Sequence, residues 1–330
     1  MQKMVQTFYR YSWPKVTHSL DFVYLIIPSL LIFGFAFGWN NSGLTTGNLS
    51  NLMNYNLALI LTIVGVFAGL FISGREMSSS VVGKLVSASI SGNAVLAGVV
   101  ASVALLILLT VLKLPVSLSN CTVGAFVGAG LASHSVVNSV FLTEVVASWV
   151  FGPFLCALVT IVAYVTVVRL ERNFSLPAVS FVNRVLLIVS VFYVAFALGG
   201  NNIGLIVSFA KSNYAVGSSL LLDAAVFLTT TAGMMVFGKS IAKIVGDKIV
   251  GLSQIKTLSA MLGSAVITSV FTFLSVPVSL TQVIIGGMLG AGIAHRPSIV
   301  NNRELVELVA GWTFVTLASA GLGFLLASAI

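Results

Sequence analysis

A chain of 330 residues with a mean hydropathy of +1.10 and only 7% charged residues lacks the charged shell, roughly a quarter of all residues, that a soluble protein needs. Sixteen Lys and Arg against eight Asp and Glu give a net charge of +8, but no aromatic-interleaved basic stretch accompanies it. Nucleic-acid binding is therefore excluded, and the basic residues read as loop charges that set membrane orientation. Cys121 and Cys156 lie in apolar surroundings and define neither a disulfide framework nor a metal site.

In chain order, residues 1–19 form a polar segment with Lys3, Arg10 and Lys15, too long and polar for the start of a signal peptide. The apolar run behind it ends at Asn40-Asn41 without a small-residue cleavage site, so it reads as a retained first membrane helix near 22–40. Further helices are expected near 57–74, 93–112 and 141–168. A polar linker, 169–182, follows, and then helices near 185–200, 219–238, 257–276 and 304–329. The runs are continuous and long enough for about 30 Å of hydrocarbon, where a barrel would alternate in short segments. The fold class is an all-α, polytopic helical membrane protein. Between the third and fourth helices of each half, a short Gly-rich segment follows Pro115 or Pro277, as expected of a re-entrant half-helix.

The halves repeat. Phe35-Ala-Phe-Gly-Trp-Asn-Asn-Ser-Gly-Leu44 returns as Phe196-Ala-Leu-Gly-Gly-Asn-Asn-Ile-Gly-Leu205, identical at seven of ten positions with an offset of 161. The eighteen residues from Pro115 return from Pro277, half of them identical, at an offset of 162. Glu144 and Trp149 pair with Glu307 and Trp312 at 163, and Arg75 and Lys84 with Lys239 and Lys248 at 164. Shared apolar composition does not keep four blocks in order at one spacing, so two repeats are expected, 20–168 and 183–330. Short Gly/Pro-marked segments in corresponding places of two halves are a pointer to a transporter binding site.

Two constellations carry the polar chemistry. In 38–43 and 199–204, glycines flank Asn40-Asn41 and Asn201-Asn202, which reads as a break in an apolar helix; non-helical chain survives in hydrocarbon only when buried or lining a cavity. The alternative is close helix packing across Gly. The second constellation, Ser117, Ser119 and Asn120 with Ser279, Thr281 and Gln282, begins two residues after each Pro and reads as a capped helix N-terminus. Such an end presents free N–H groups and partial positive charge, which suits an anion. These ten residues are the candidate substrate-binding set. Glu144 and Glu307 are coupling candidates, since an intramembrane carboxylate is costly to keep. Arg75, Glu76, Lys84, Lys239, Lys243, Lys248 and Lys256 are expected in loops. His18, His134 and His295 have no metal-ligand spacing, and no catalytic set is evident, so an enzyme is not expected.

These paired blocks resemble the inorganic phosphate transporter (PiT) family of phosphate and sulfate permeases over nearly the full chain. The resemblance implies inverted repeats with an oxyanion bound between them. Phosphate members of that family typically read Gly-Ala-Asn-Asp-x-x-Asn. Here Asn41 and Asn202 replace both Asp residues and Leu44 and Leu205 the later Asn, which removes the carboxylates through which sodium coupling would run. Ser117-Leu-Ser-Asn120 likewise stands where the family has Ser-Thr-Thr-His. Val64-Gly-Val-Phe-Ala-Gly69 and Trp149-Val-Phe-Gly-Pro153 look closer to the sulfate-permease branch. Sulfate has no proton to donate, so a donor-only site suits it, whereas the O–H of hydrogen phosphate wants an acceptor. The expectation is a multi-pass permease of the cell membrane working by alternating access, sulfate favoured over phosphate. A sodium- or proton-coupled phosphate transporter is the alternative, and a passive anion channel or non-transporting scaffold is the alternative of another class. No cofactor is expected beyond a coupling H+ or Na+; the lipid bilayer is the expected partner, and a homo-oligomer stays open.

Overall fold

The computed structural model describes residues 16–50, 53–86, 90–112, 117–211, 220–249, 253–295 and 302–330. The described residues are helical almost throughout, because in hydrocarbon each backbone N–H and C=O must find its partner within the segment. In order the helices are α1 (Val16–Ser50), α2 (Tyr55–Ile72), α3 (Gly74–Leu85), α4 (Gly92–Val111), α5 (Leu118–Ala132), α6 (Ser139–Glu171) and α7 (Leu176–Leu198). A π-helical turn, Gly199–Ile203, then leads into α8 (Gly204–Lys211), α9 (Leu220–Ile249), α10 (Gln254–Phe273), α11 (Leu280–His295) and α12 (Asn302–Ala329). Among the described residues, eight segments are long and apolar enough to cross a membrane.

The polar stretch at mid-chain is largely helical, since α6 runs through Glu171 and α7 starts at Leu176. The charges expected in loops are also helical: Arg75, Glu76 and Lys84 lie on α3, and Lys239, Lys243 and Lys248 on the end of α9, with Lys256 in the first turn of α10. Mean hydropathy falls along these stretches but helix propensity does not, because Lys, Arg and Glu are good helix formers.

α5 and α11, with 15 and 16 residues, reach only about 22–24 Å at 1.5 Å per residue, short of the hydrocarbon core. Their ends are fixed by neighbours. Val86, before α4, bridges Val137, after α5, and Asn138 N–H donates to Leu85 O at 3.0 Å. The α4–α5 pair therefore enters and leaves on one side. Tyr164 Oη lies 3.1 Å from Nδ1 of His295, the last residue of α11. Tyr164 stands 26 residues beyond Asn138 on the long helix α6, about 39 Å along its axis. The half-helices thus end at opposite ends of α6, an arrangement consistent with inverted repeats.

Packing is reciprocal. α1 packs on α9 and α2 on α7, while α5 packs on α12 and α11 on α6. A central bundle of α1, α2, α7 and α9 results, with the α5–α12 and α6–α11 pairs outside it, and elements of both sequence halves meet in all three. α4 and α10 lie between them, α4 touching α1, α5 and α12, and α10 touching α7, α11 and α6.

Candidate functional site

The Gly-Asn-Asn blocks do not break their helices. α1 stays α-helical from Val16 to Ser50, through Asn40 and Asn41, while the second copy forms the π turn Gly199–Ile203. The glycines serve the crossing instead. A Cβ on Gly38 would stand 1.9 Å from Thr230 O, and one on Gly199 would stand 2.1 Å from Val66 O. Gly233 meets Phe35 O and Gly69 meets Phe196 O in the same way, at 2.0 and 1.8 Å. Backbone presses on backbone at both crossings, as only Gly permits. The helix continues past Asn41 because its side chains bond backward: Asn41 Nδ2 donates to Phe37 O at 3.2 Å and Ser42 Oγ to Trp39 O at 3.2 Å.

Each crossing delivers its first asparagine to the seam between a bundle and the helix beside it. Asn40 Nδ2 donates to Thr110 Oγ1 on α4 at 2.9 Å, and Asn201 Nδ2 donates to Thr272 Oγ1 on α10 at 3.1 Å. These hydroxyls, like the asparagines, match at the repeat spacing. Asn201 does more. Its Nδ2 also donates to Val276 O at 3.2 Å, and its Oδ1 accepts from Val278 N–H at 3.2 Å. One buried amide thereby clamps the chain between α10 and α11. The corresponding first-half stretch, 113–116, lies outside the described residues. From the other side, Ser148 Oγ and Trp149 Nε1 of α6 donate to Pro277 O at 3.4 and 3.3 Å. The segment 276–278 is extended enough for alternate peptides to face opposite ways, toward Asn201 and toward α6.

The clamp leads directly into the second constellation. Ser279 caps α11, its Oγ accepting from Gln282 N–H at 3.3 Å, and Ser117 caps α5, its Oγ accepting from Asn120 N–H at 3.3 Å. The expected N-terminal geometry is thus present in both copies, but the polar side chains divide their work. Ser117 Oγ also donates to Asn120 Oδ1 at 2.7 Å and lies 3.1 Å from Ser119 Oγ. Asn120 Nδ2 reaches across to α12, at Trp312 O (3.4 Å) and Thr316 Oγ1 (3.1 Å), so it brackets helices. Asn202 and Gln282 differ: both are buried, and among the described residues Asn202 Oδ1 and Gln282 Oε1 have no hydrogen-bond partner. Orphaned buried polar groups are rare enough to flag a site, and rotating an amide by a half-turn would present N–H there instead. Thr281, next to Gln282 in sequence, is also buried.

Glu144 is elsewhere. It is exposed on α6, where with Ala147, Ser148 and Phe151 it forms one wall of a groove of about 430 Å³; Phe271, Leu274 and Val276 form the other. Glu307 falls on α12, its side chain outside the described ones. Sequence reasoning missed the clamping role of Thr110, Thr272, Ser148 and Trp149. Trp149 carried a signal, since it repeats as Trp312, but periodicity gives no partner for an indole N–H.

Interlocked repeat halves, two short helices ending at opposite faces and neutral buried donors at the seam define a multi-pass membrane transport protein. The family model described as the phosphate transporter family matches residues 38–323, and the chain belongs to that family. It is 25% identical over 304 residues to a protein named as a phosphate permease of Methanocaldococcus jannaschii, covering 92% of this chain and 95% of that one. It is 29% identical over 283 residues to the sulfate permease CysP of Bacillus subtilis (82% and 77% covered), and 25% identical over 319 residues to a low-affinity inorganic phosphate transporter of the same organism (91% and 94%). Among solved structures, a sodium-dependent phosphate transporter superposes with a TM-score of 0.81 at 18% identity, covering 93% of this chain and 98% of that one, so the fold is shared.

Proposed function

We propose that the chain is a secondary permease for a tetrahedral inorganic oxyanion, inorganic phosphate being the substrate named for most of the relatives above. The observation that carries the reading is Gln282 Oε1, buried without a partner among the described residues in the first turn of the capped helix α11, with Asn202 Oδ1, next in sequence to the clamp residue Asn201, as a second such group. A helix N-terminus offers N–H groups without intrahelical partners, and the amides and hydroxyls around it add neutral donors. Neutral donors hold an anion without the grip of an Arg pair, so release stays fast.

A second substrate, sulfate, is favoured by one specific feature. Asn41 and Asn202, both buried, offer no carboxylate to receive the proton of hydrogen phosphate, and a donor-only site prefers the fully deprotonated anion. Labelled phosphate and sulfate uptake into proteoliposomes, each competed by the other, separates the two readings. Imposing proton and sodium gradients in turn identifies the driving ion. Uptake of neither anion would overturn the proposal. The variant that tests the donor account carries Asn41→Asp and Asn202→Asp together. It should lower sulfate uptake by repulsion and spare phosphate, whose O–H gains an acceptor. Equal sulfate uptake by variant and parent would remove these asparagines from the anion site.

A further inference from the structure

We propose that the lateral groove between α6 and α10 binds the primary ammonium of an aminophospholipid, phosphatidylethanolamine being the simplest, with Glu144 as its ionic partner. Among the described residues, Glu144 makes no ion pair and is the one charged residue lining the groove. On α6 it is flanked by exposed apolar residues, Val140 one turn before it and Val146 just after it. It therefore interrupts the apolar outer surface of a spanning helix, where an uncompensated carboxylate is expensive. A carboxylate–ammonium hydrogen bond is among the stronger compensations available.

The surroundings select the class of cation. The outer surface of α6 beside the groove is apolar and faces outward: Val150, Phe151 and Phe154 are 50%, 61% and 67% exposed. Phe271, Leu274 and Val276 continue that surface into the groove, which suits a glycerol backbone and the start of an acyl chain. A soluble amine would find one carboxylate and apolar walls, too little to hold it. Choline would satisfy the charge but brings no N–H to donate. The groove holds no Lys or Arg to attract an anionic headgroup. The lipid's own phosphate stays outward, in the headgroup layer.

The groove also touches the clamp. Val276 lines it while its carbonyl accepts from Asn201, and Ser148, another lining residue, donates to Pro277 O. A lipid seated there presses on the segment that leads to α11, so its occupancy bears on the candidate site without contacting it.

The test uses delipidated protein and measures lipid binding by native mass spectrometry, without substrate, so its outcome is independent of which anion is carried. Phosphatidylethanolamine is expected to bind more tightly than phosphatidylcholine and to raise the melting temperature. Glu144→Gln should weaken phosphatidylethanolamine binding by about tenfold or more, the range for a lost hydrogen bond to a charged group, and leave phosphatidylcholine binding unchanged. Ala147→Trp, which fills the groove and keeps the charge, should abolish the preference as well. In vesicles, the ratio of uptake with phosphatidylethanolamine to uptake with phosphatidylcholine should fall toward one in both variants. If Glu144→Gln keeps the parent's lipid preference, the proposal is wrong. It is equally wrong if a curvature-inducing lipid without an amine, diacylglycerol in phosphatidylcholine, reproduces the parent's response.

Discussion

Asn201 is the residue whose loss the structure prices most fully. Replacing it by Ala removes three hydrogen bonds to oxygen and nitrogen partners, Thr272 Oγ1, Val276 O and Val278 N–H, and a long one to Met77 Sδ at 3.9 Å. A neutral bond contributes about 1 kcal/mol net, but where its loss strands a buried group the cost is instead about 1–3 kcal/mol for that group. Thr272 also donates to Thr268 O at 2.8 Å, so its hydroxyl keeps a partner, whereas Val278 N–H and Val276 C=O lose theirs. The expected destabilisation is about 3–5 kcal/mol, at the upper end for a single substitution. Thermal unfolding in detergent should therefore show a clear fall in melting temperature, and anion uptake should fall with it, because Ser279 and the start of α11 hang on the freed segment. Asn201→Asp sharpens the test. The carboxylate still accepts from Val278 N–H but can no longer donate to Val276 O, so it should not restore stability. If Asn201→Ala melts and transports like the parent, the clamp contributes nothing and its account must be dropped. If Asn201→Asp is more active than the parent, the side chain serves an ion directly and not the chain.

Other expectations follow from the same geometry. Gly38→Ala or Gly199→Ala should destabilise by about 2–3 kcal/mol or prevent folding, since the new Cβ meets backbone oxygen that cannot swing aside; Gly292→Ala, with nothing within 4 Å of its Cβ, should be neutral or stabilising by up to about 1 kcal/mol, as paired melting curves will show. Trp149→Phe keeps the ring packing but loses the bond to Pro277 O, and should lower stability by about 1 kcal/mol; an unchanged melting temperature would argue against the grip of α6 on this segment. Ser119→Ala should raise the half-saturating anion concentration about tenfold if its hydroxyl faces the anion, and leave it unchanged if that hydroxyl serves only Ser117, 3.1 Å away.

Much of this architecture is written in one-dimensional pattern. Continuous apolar runs predict spanning helices, and the length of the segments after Pro115 and Pro277 predicts helices too short to cross. Ser117 and Ser279 announce themselves as caps because their function is local, a bond to an amide three residues on. The Gly-Asn-Asn blocks show where pattern fails. Glycine beside two amides reads equally as a helix break or as a helix crossing, and only the neighbour decides. Here that neighbour is the carbonyl of Thr230 or Val66, about 190 and 130 residues away in sequence. The clamp was hidden for the same reason: its partners are backbone groups of Val276, Pro277 and Val278, which every residue type supplies. Asn40 and Asn120 could be marked as polar groups needing partners, but whether the partner is an anion or a helix is a tertiary fact.

If the proposed permease works by alternating access, the interlocked packing constrains which bodies move. If the repeats moved as sequence halves, α1 would slide against α9 and α2 against α7, yet these are the crossings where a Cβ does not fit between the backbones. Such contacts have little room to shear, because displacement by a fraction of a residue drives Cα or Cβ atoms into carbonyl oxygen. The α5–α12 and α6–α11 contacts are equally close, with Gly128 against Ala320 O and Gly286 against Pro153 O. The rigid units are therefore the central bundle and the α5–α12 and α6–α11 pairs, and the softer boundary is the seam at α4 and α10. At that seam contacts are carried by side chains, Asn40 to Thr110 and Asn201 to Thr272, which can rotate or exchange partners. The two halves contribute one such amide each, so a motion that loosens one end of the seam can tighten the other. Cross-linking separates the cases: a disulfide joining α1 to α9 near the Gly38–Thr230 crossing should leave uptake intact, while one joining α7 to α10 near Asn201 should arrest it. Arrest by the first cross-link would mean that the sequence halves are the moving bodies.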